Sequence, residues 1–251
     1  MTETGKLPLM LSALRLPTIG RLWQEFGEQA DREGWGAARL LATLCEHELA
    51  ERAARRIARH LAQSDLPAGK TLTSFDFAAT PSLRKAHLAA LAAGDAWIEQ
   101  GANVLIFGPS GTGKTHAAAA IGAGLIDHGY RVLFTRTTDL VQKLQAARRD
   151  LALPAALAKL DKFDCLILDD LGYVRKDQAE TSVLFELIAE RYERRSLVVT
   201  CNQPFSEWGQ IFPDPAVTVA AIDRLVHHAT ILELNTESYR RRAAGKRAAD
   251  G

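Results

Sequence analysis

No stretch of this 251-residue chain is apolar for anything near the eighteen or so residues that span a bilayer, which excludes a membrane-spanning helix. Cysteine is scarce. Cys45, Cys165 and Cys201 form no C-x-x-C pair and sit in apolar segments, so reduced, buried thiols and a cytoplasmic setting are expected. An excess of either charge is missing too: 31 basic against 30 acidic side chains leave a net charge of +1. No global field draws nucleic acid, and any such surface has to be local. The seven histidines show no His-Glu-x-x-His or other ligand spacing, so no structural zinc is expected. No helix-turn-helix or zinc-finger pattern supports the reading of bases. The apolar run from Leu7 to Leu14 contains Pro8, ends at Arg15 and lacks a small-residue cleavage site, so it reads as an amphipathic helix and not a leader.

What is there is 47% hydrophobic and 24% charged, enough for one α/β domain with a smaller appendage. Residues 1–63 read as helices only: Leu9 to Leu16, Thr18 to about Asp31, and a long Ala37 to Gln63. Residues 64–81 are rich in breakers and read as a linker. From Ser82 helix and strand alternate, with one helix to about Gln100 and strands near 103–107, 131–135, 164–168, 197–201 and 229–234. Helices are expected at 114–128, 138–149, 178–194 and 216–227. Strands alternating with helices of this length imply a five-stranded parallel sheet flanked by helices, spanning 82–240, with a basic tail at 241–251.

Residues 108–115, Gly-Pro-Ser-Gly-Thr-Gly-Lys-Thr, are a complete G-x-x-x-x-G-K-[ST] phosphate-binding loop. Gly108, Gly111 and Gly113 let successive N–H groups turn toward a phosphate, with Pro109, Ser110 and Thr112 between them. Lys114 brings a point charge to the outer phosphates and the Thr115 hydroxyl suits Mg²⁺. The apolar run Asn103–Phe107 feeds the loop, and an Ala-rich helix beginning at Thr115 and His116 follows it, pointing its N-terminus at the ligand. Strand, loop and helix together support ATP with Mg²⁺ as cofactors.

Downstream, an apolar strand ends in Asp169-Asp170. In an open α/β sheet ligands bind beyond the carboxyl ends of the strands, so Asp169 is placed to hold the metal shell and Asp170 to orient water. The next strand ends at Asn202, whose amide can bond the attacking water and the γ-phosphate. Arg224 lies on the helix before the last strand; its planar, permanently charged fork suits phosphoryl-transfer charge and can act from a neighbouring subunit, whereas from spacing alone an intrachain pair or a solvated charge is favoured.

Gly108 to Thr115, Leu168-Asp-Asp-Leu-Gly-Tyr173, Ala189-Glu-Arg-Tyr-Glu-Arg-Arg195, Asn202-Gln-Pro-Phe-Ser-Glu-Trp208, Asp223-Arg-Leu-Val-His-His228 and Glu237-Ser-Tyr-Arg240 together resemble the IstB family. These are AAA+ ATP-binding helper proteins of insertion-sequence transposition, related to DnaC-type helicase loaders. The resemblance runs from about Leu7 through Arg240 and includes Phe75-Asp-Phe77. It implies a P-loop AAA+ core with a small helical N-terminal domain and no C-terminal lid domain. It also implies the triphosphate on Gly108 to Thr115, the metal on Asp169, the catalytic acid at Asp170, the first sensor at Asn202, and Arg224 as a finger into an adjacent subunit. Arg240 falls where the family places a Ser-Tyr-Arg element near the nucleotide. Two departures stand out: the family usually has Asp-Glu where this chain has Asp169-Asp170, and Gly at Thr236. Asp is one methylene shorter than Glu, and a displacement of that scale can cost about a hundredfold in rate.

Arg52, Arg55, Arg56 and Arg59 fall at i, i+3, i+4 and i+7, so one stripe of the long N-terminal helix carries four positive charges, with Glu48 and Glu51 beside them. Leu49, Ala53, Ile57 and Leu61 are expected to bury opposite. From spacing alone the stripe is a solvated face. The resemblance, whose helical N-terminal part is understood to contact DNA, makes it a phosphate-contacting surface for duplex DNA, independent of base sequence. The reading that results is an ATPase that assembles on DNA as a homo-oligomer and assists a transposase. A DnaC-like helicase loader, a nucleotide-switched DNA scaffold with little turnover, and a small-metabolite P-loop kinase are the alternatives; no Arg-rich lid insertion supports the kinase.

Overall fold

The computed structural model describes residues 3–172, 178–210 and 214–235. By its internal contacts the chain divides into two compact units, residues 1–59 and 60–251. The division falls inside a continuous helix.

The first unit is helical: α1 (Glu3–Ala13), α2 (Pro17–Glu33) and most of α3 (Ala37–Ala62). Leu11, Ile19 and Leu44 are buried, with Leu7, Leu16, Leu22, Trp23, Phe26 and Leu40 packed on them. Pro17 opens α2 with its fixed φ, and Gly34 closes it in a left-handed conformation. The face of α3 that is buried here differs from expectation. Leu49 and Leu61 are 66% and 53% exposed, whereas Leu44 and Glu48 are buried. The reason is electrostatic. Glu48 Oε2 accepts from the Thr18 and Ile19 backbone N–H groups (2.8 and 3.1 Å), at the N-terminus of α2 where unpaired donors and the helix dipole favour an anion. Burial raises the Glu48 pKa, but the bond from Arg52 and the two amides outweigh it, and the carboxyl is lowered overall. Turning Glu48 inward rotates Leu49 out.

The second unit is a five-stranded, all-parallel sheet in the order β2-β3-β4-β1-β5, as the alternating pattern implies. The strands are β1 (Asn103–Phe107), β2 (Val132–Arg136), β3 (Cys165–Asp169), β4 (Ser196–Cys201) and β5 (Ala229–Glu233). β1, β3 and β4 are buried along their whole length, as near-continuous apolar runs covered on both faces have to be. Registers of Phe107 with Cys201, and of Arg136 with Asp169, align the carboxyl ends of neighbouring strands along one edge.

The helices are α4 (Lys85–Ala93), α5 (Asp95–Glu99), α6 (Lys114–Asp127), α7 (Thr137–Arg149), α8 (Leu153–Leu160), α9 (Gln178–Arg191) and α10 (Pro215–Val226). The expected single helix from Ser82 to Gln100 is two. Gly94 breaks it at φ +90°, and a Cβ there would come within 2.5 Å of the Tyr130 ring. α8 was not expected. Asp214 caps α10, accepting from Ala216 and Val217 N–H (2.8 and 3.2 Å).

Residues 64–81 are not a free linker. They pack on the second unit: Phe134 N–H donates to the Ser64 carbonyl (2.7 Å), and Ser64, Phe75 and Thr80 are buried. The tail after 235 lies outside the described residues. Among those described, no helix is long and apolar enough to cross a membrane.

Arg191, the last residue of α9, is 1% exposed. Its guanidinium donates to the carbonyls of Leu160, Phe163, Asp164 and Ser196 (3.0–3.3 Å), joining the end of α8, the entry to β3 and the start of β4. Burial pulls its pKa down to about 10, so it keeps its charge at neutral pH. Arg191→Met removes a charged donor from all four carbonyls, of which those of Leu160 and Asp164 keep a backbone N–H, and should lower the unfolding free energy by about 3 kcal/mol in a urea titration, with Arg191→Lys losing less. Unchanged stability in Arg191→Met would remove this side chain as an organiser of the sheet.

Candidate functional site

β1 delivers the chain into the loop at Gly108, whose φ is +147° and where a Cβ would stand 2.4 Å from the Leu234 carbonyl oxygen. Only glycine lets the loop leave the sheet at this height. Within the loop the Thr112 hydroxyl donates to the Pro109 carbonyl (2.9 Å). Lys114 is 5% exposed, and its Nζ donates to the Gly108 and Pro109 carbonyls (2.7 and 2.9 Å). A cation is thus held at the base of the loop, with α6 starting beside it.

Asp169 ends β3 and is 5% exposed. Its two carboxylate oxygens take different partners. Thr115 Oγ1 donates to Oδ2 at 3.1 Å, and Thr200 Oγ1 donates to Oδ1 at 2.6 Å. The Thr200 oxygen in turn accepts the Asp170 N–H (2.9 Å), and the Thr137 hydroxyl donates to the Asp169 carbonyl (2.9 Å). Asp170 turns left-handed at φ +58°, a conformation that Asp tolerates better than most residues. The Thr115 hydroxyl and the Asp169 carboxylate are hard oxygen ligands, adjacent and suited to Mg²⁺, which binds through one or two such groups while keeping several waters.

Beyond these strand ends lies a cavity of about 930 Å³, lined by Ser110 to His116, Asp170 and Asn202. That volume suits a nucleotide-sized ligand. The cavity is also lined by Lys70, Ser74, Phe75, Asp76, Ala79 and Thr80 from the segment 64–81, by Arg136 at the end of β2 and by Thr138 in the first turn of α7. Sequence reasoning assigned none of the eight to the site, although Phe75 and Asp76 fall in a run that carries the family resemblance. It passed over Thr200 as well, because threonine inside a strand is ordinary β-former chemistry. For Phe75 there was a signal: two phenylalanines, Phe75 and Phe77, in an otherwise polar, breaker-rich run.

His116 anchors that segment to the loop. Its Nε2 lies 3.1 Å from both Ser74 Oγ and the Thr71 carbonyl, and its ring meets the Phe75 ring edge-on at 5.1 Å. Burial lowers its pKa and the Lys70 charge adds to this, partly opposed by the Thr71 carbonyl, so the neutral imidazole is favoured. Asn202 is carried by a run that packs beneath the sheet. Phe205 and Trp208 rest on Phe107 (ring centroids 4.6 and 6.3 Å apart), and Trp208 is fully buried.

Arg224 does not line the cavity of its own chain. It sits on α10 with its guanidinium 5.0 Å from the Phe185 ring centroid and one N–H on the Ala220 carbonyl (3.0 Å). Arg240 lies outside the described residues. On α3, Arg52 pairs with Glu48 (2.9 Å) and Arg55 with Glu51 (3.5 Å), while Arg55 also reaches the Thr18 hydroxyl (2.9 Å). Arg56 and Arg59 are exposed and, among the described residues, pair with no carboxylate.

The fold resembles that of several solved proteins. The DnaC helicase loader superposes with a TM-score of 0.51 at 21% identity, over 60% of this chain and 87% of that one. DnaI superposes at 0.56 and 18%, over 68% and 95%. AMPPCP-bound DnaA from Aquifex aeolicus superposes at 0.58 and 16%, over 75% and 57%. The likeness is one of fold. In sequence, an insertion sequence ATP-binding protein of Sinorhizobium fredii is 68% identical over 242 residues, 96% of this chain and 81% of the relative. The insertion sequence IS21 ATP-binding protein of Pseudomonas aeruginosa is 36% identical over 235 residues, 94% and 88%. The pattern of the IstB-like ATP binding protein family matches residues 9–247. A phosphate-binding loop held to Asp169 through Thr115, on a parallel sheet of this order and with this coverage, is therefore that of a member of the IstB-like ATP-binding family.

Proposed function

We propose that this chain is an ATP-hydrolysing, DNA-binding AAA+ regulator that assembles as a homo-oligomer on duplex DNA and assists a transposase, with hydrolysis controlling the assembly. The observation that carries the reading is the bonded set Thr115–Asp169–Thr200–Asp170 at the floor of the cavity. It holds one carboxylate for a metal and a second beside it for water, in fixed relation. Relatives named for insertion sequences supply the transposition context.

In the proposed reaction the loop amides and Lys114 bind the phosphates, and the ammonium exchanges its bonds to Gly108 and Pro109 for phosphate oxygens. Bound Mg²⁺ would neutralise charge on the outer phosphates. Thr115 and Asp169 orient that ion, Asn202 bonds the γ-phosphate and the attacking water, and Asp170 polarises the water. Arg224, stacked on Phe185 in its own chain, acts on a neighbour's γ-phosphate. Most of the rate acceleration comes from positioning and electrostatics of this kind.

A second reading, a nucleotide-switched scaffold with little turnover, has one observation in its favour: the acid at position 170 is the shorter Asp. Steady-state ATP turnover with and without duplex DNA separates the two. The native chain should hydrolyse ATP faster on DNA, Asp170→Asn should lose at least a hundredfold, on the scale set by displacing a catalytic group, and Asp170→Glu should match or exceed the native rate. A native chain without turnover that gains it in Asp170→Glu would favour the scaffold.

The DNA surface has a graded expectation. Arg56→Ala with Arg59→Ala should weaken duplex binding and reduce the salt slope by about two, one for each phosphate contact removed. Arg52→Ala should instead disturb folding of the helical unit, because Arg52 supports Glu48. Equal binding by the double variant and the native chain, measured by fluorescence anisotropy across salt, would move the interface elsewhere.

The oligomer has its own check. Neither Lys114→Ala nor Arg224→Ala should turn over ATP alone, but a mixture should recover activity at mixed interfaces. No recovery at any ratio, with nucleotide binding by Arg224→Ala intact, would end the assignment of Arg224 as a finger in trans.

A further inference from the structure

Two of the sequence runs that mark the family contribute nothing to the nucleotide cavity, yet the fold brings them together. The turn after α9 carries Tyr192 and Glu193, and the junction between α10 and β5 carries His227 and His228. One carboxylate oxygen, Glu193 Oε1, lies 3.4 Å from His227 Nδ1 and 3.7 Å from His228 Nε2. A ligand atom from each of the three residues lies within 4.8 Å of the others, and the two imidazole centroids are 3.9 Å apart. All three side chains are exposed, so a hydrated ion can reach them.

We propose that Glu193, His227 and His228 form a binding site for a divalent transition cation of the zinc class. The geometry supports this directly. Four ligands at about 2.0–2.1 Å around a tetrahedral centre stand about 3.3 Å from one another. The two nitrogen-to-oxygen separations are already close to that edge length, before any ion draws the side chains together. Two imidazole nitrogens and one carboxylate oxygen are a borderline donor set, preferred by Zn²⁺ and Co²⁺ over Mg²⁺ or Ca²⁺, and they leave one position for water. The Tyr192 hydroxyl lies 2.6 Å from His227 Nδ1. When the phenol donates, that nitrogen carries the lone pair a metal needs, and with an ion bound the phenol passes to the Glu193 carboxylate.

Backbone geometry fixes the approach. Glu193 and His228 both take left-handed conformations, at φ +54° and +62°, which turn their side chains from separate elements toward the same point. A bound ion would cross-link the turn after α9 to the end of α10, the helix that carries Arg224 three residues upstream. It would stiffen that helix end without touching the phosphate loop.

Co²⁺ titration of the full chain in the absence of nucleotide tests the site, because a tetrahedral nitrogen–oxygen site gives intense visible absorption and octahedral Co²⁺ at the phosphate loop does not. The expected result is one equivalent of tetrahedral Co²⁺, displaced by Zn²⁺, retained in Asp169→Asn, and lost in Glu193→Gln and in His228→Asn. Thermal unfolding gives the second readout: Zn²⁺ should raise Tm in the native chain and in Asp169→Asn but not in Glu193→Gln. No tetrahedral band in the native chain, or a band and Tm shift that persist in both Glu193→Gln and His228→Asn, would overturn the proposal. The outcome is independent of ATP turnover, so failure here leaves the ATPase reading standing, and failure of that reading leaves the cation site standing.

Discussion

The site is organised around one buried carboxylate. Asp169 is almost fully withdrawn from water, and a charge in that position is tolerated only when each oxygen is satisfied. Its two oxygens are met by hydroxyls from different elements, Thr115 at the start of α6 and Thr200 in β4, and its backbone carbonyl by Thr137 at the start of α7. Three helices and strands are therefore pinned to the end of β3 by bonds to a single residue. Thr200 also accepts the Asp170 amide, so one hydroxyl sets the spacing between the two acids. Any shift of the loop is felt at Asp169 through Thr115, and any shift of β4 is felt at both acids. Such networks hold their shape because a half-satisfied state costs more than either a full network or none.

The sheet was legible because burial on both faces writes itself into the sequence as short apolar runs. Val104 to Phe107, Cys165 to Leu168 and Leu197 to Cys201 stand out between polar breakers and fall in register. The glycines and Lys114 were legible because the chemistry of phosphate binding restricts residue type at fixed spacing. The segment 64–81 was read as a linker because its composition is that of one. Its attachment rests on a few tertiary contacts, Ser64 with Phe134 and His116 with Ser74, Thr71 and Phe75, that have no period to detect. The buried face of α3 was misjudged for a related reason. Helical periodicity gives several stripes, and the stripe chosen internally contains Glu48, which only the N-terminus of α2 makes worth burying.

Family-specific runs turn out to do different kinds of work. In Asn202-Gln-Pro-Phe-Ser-Glu-Trp208, Phe205 and Trp208 are packing residues that hold the tip of β4, and only Asn202 faces the cavity. In Asp223-Arg-Leu-Val-His-His228, Leu225 is buried, Arg224 stacks on Phe185, and the histidines meet Glu193 at the surface. Spacing alone could not pair the histidines with Glu193, since the ligands come from separate elements and only the left-handed turns aim them together.

On the proposed reading, the placement of Arg224 decides what ATP is for. A ligand shifts an assembly equilibrium only through contacts that differ between the assembled and separate states. Lys114 acts on the phosphates from within its own chain. Thr115 and Asp169 act within one chain and bind alike whether or not a neighbour is present. A side chain supplied across an interface is different, because its bond to the γ-phosphate exists only in the assembly and disappears on hydrolysis. In its own chain the Arg224 guanidinium rests over the Phe185 ring and lines no part of that chain's cavity. Coupling between hydrolysis and disassembly then requires no large motion of the sheet, only the loss of one charge-assisted contact per interface, multiplied along the oligomer.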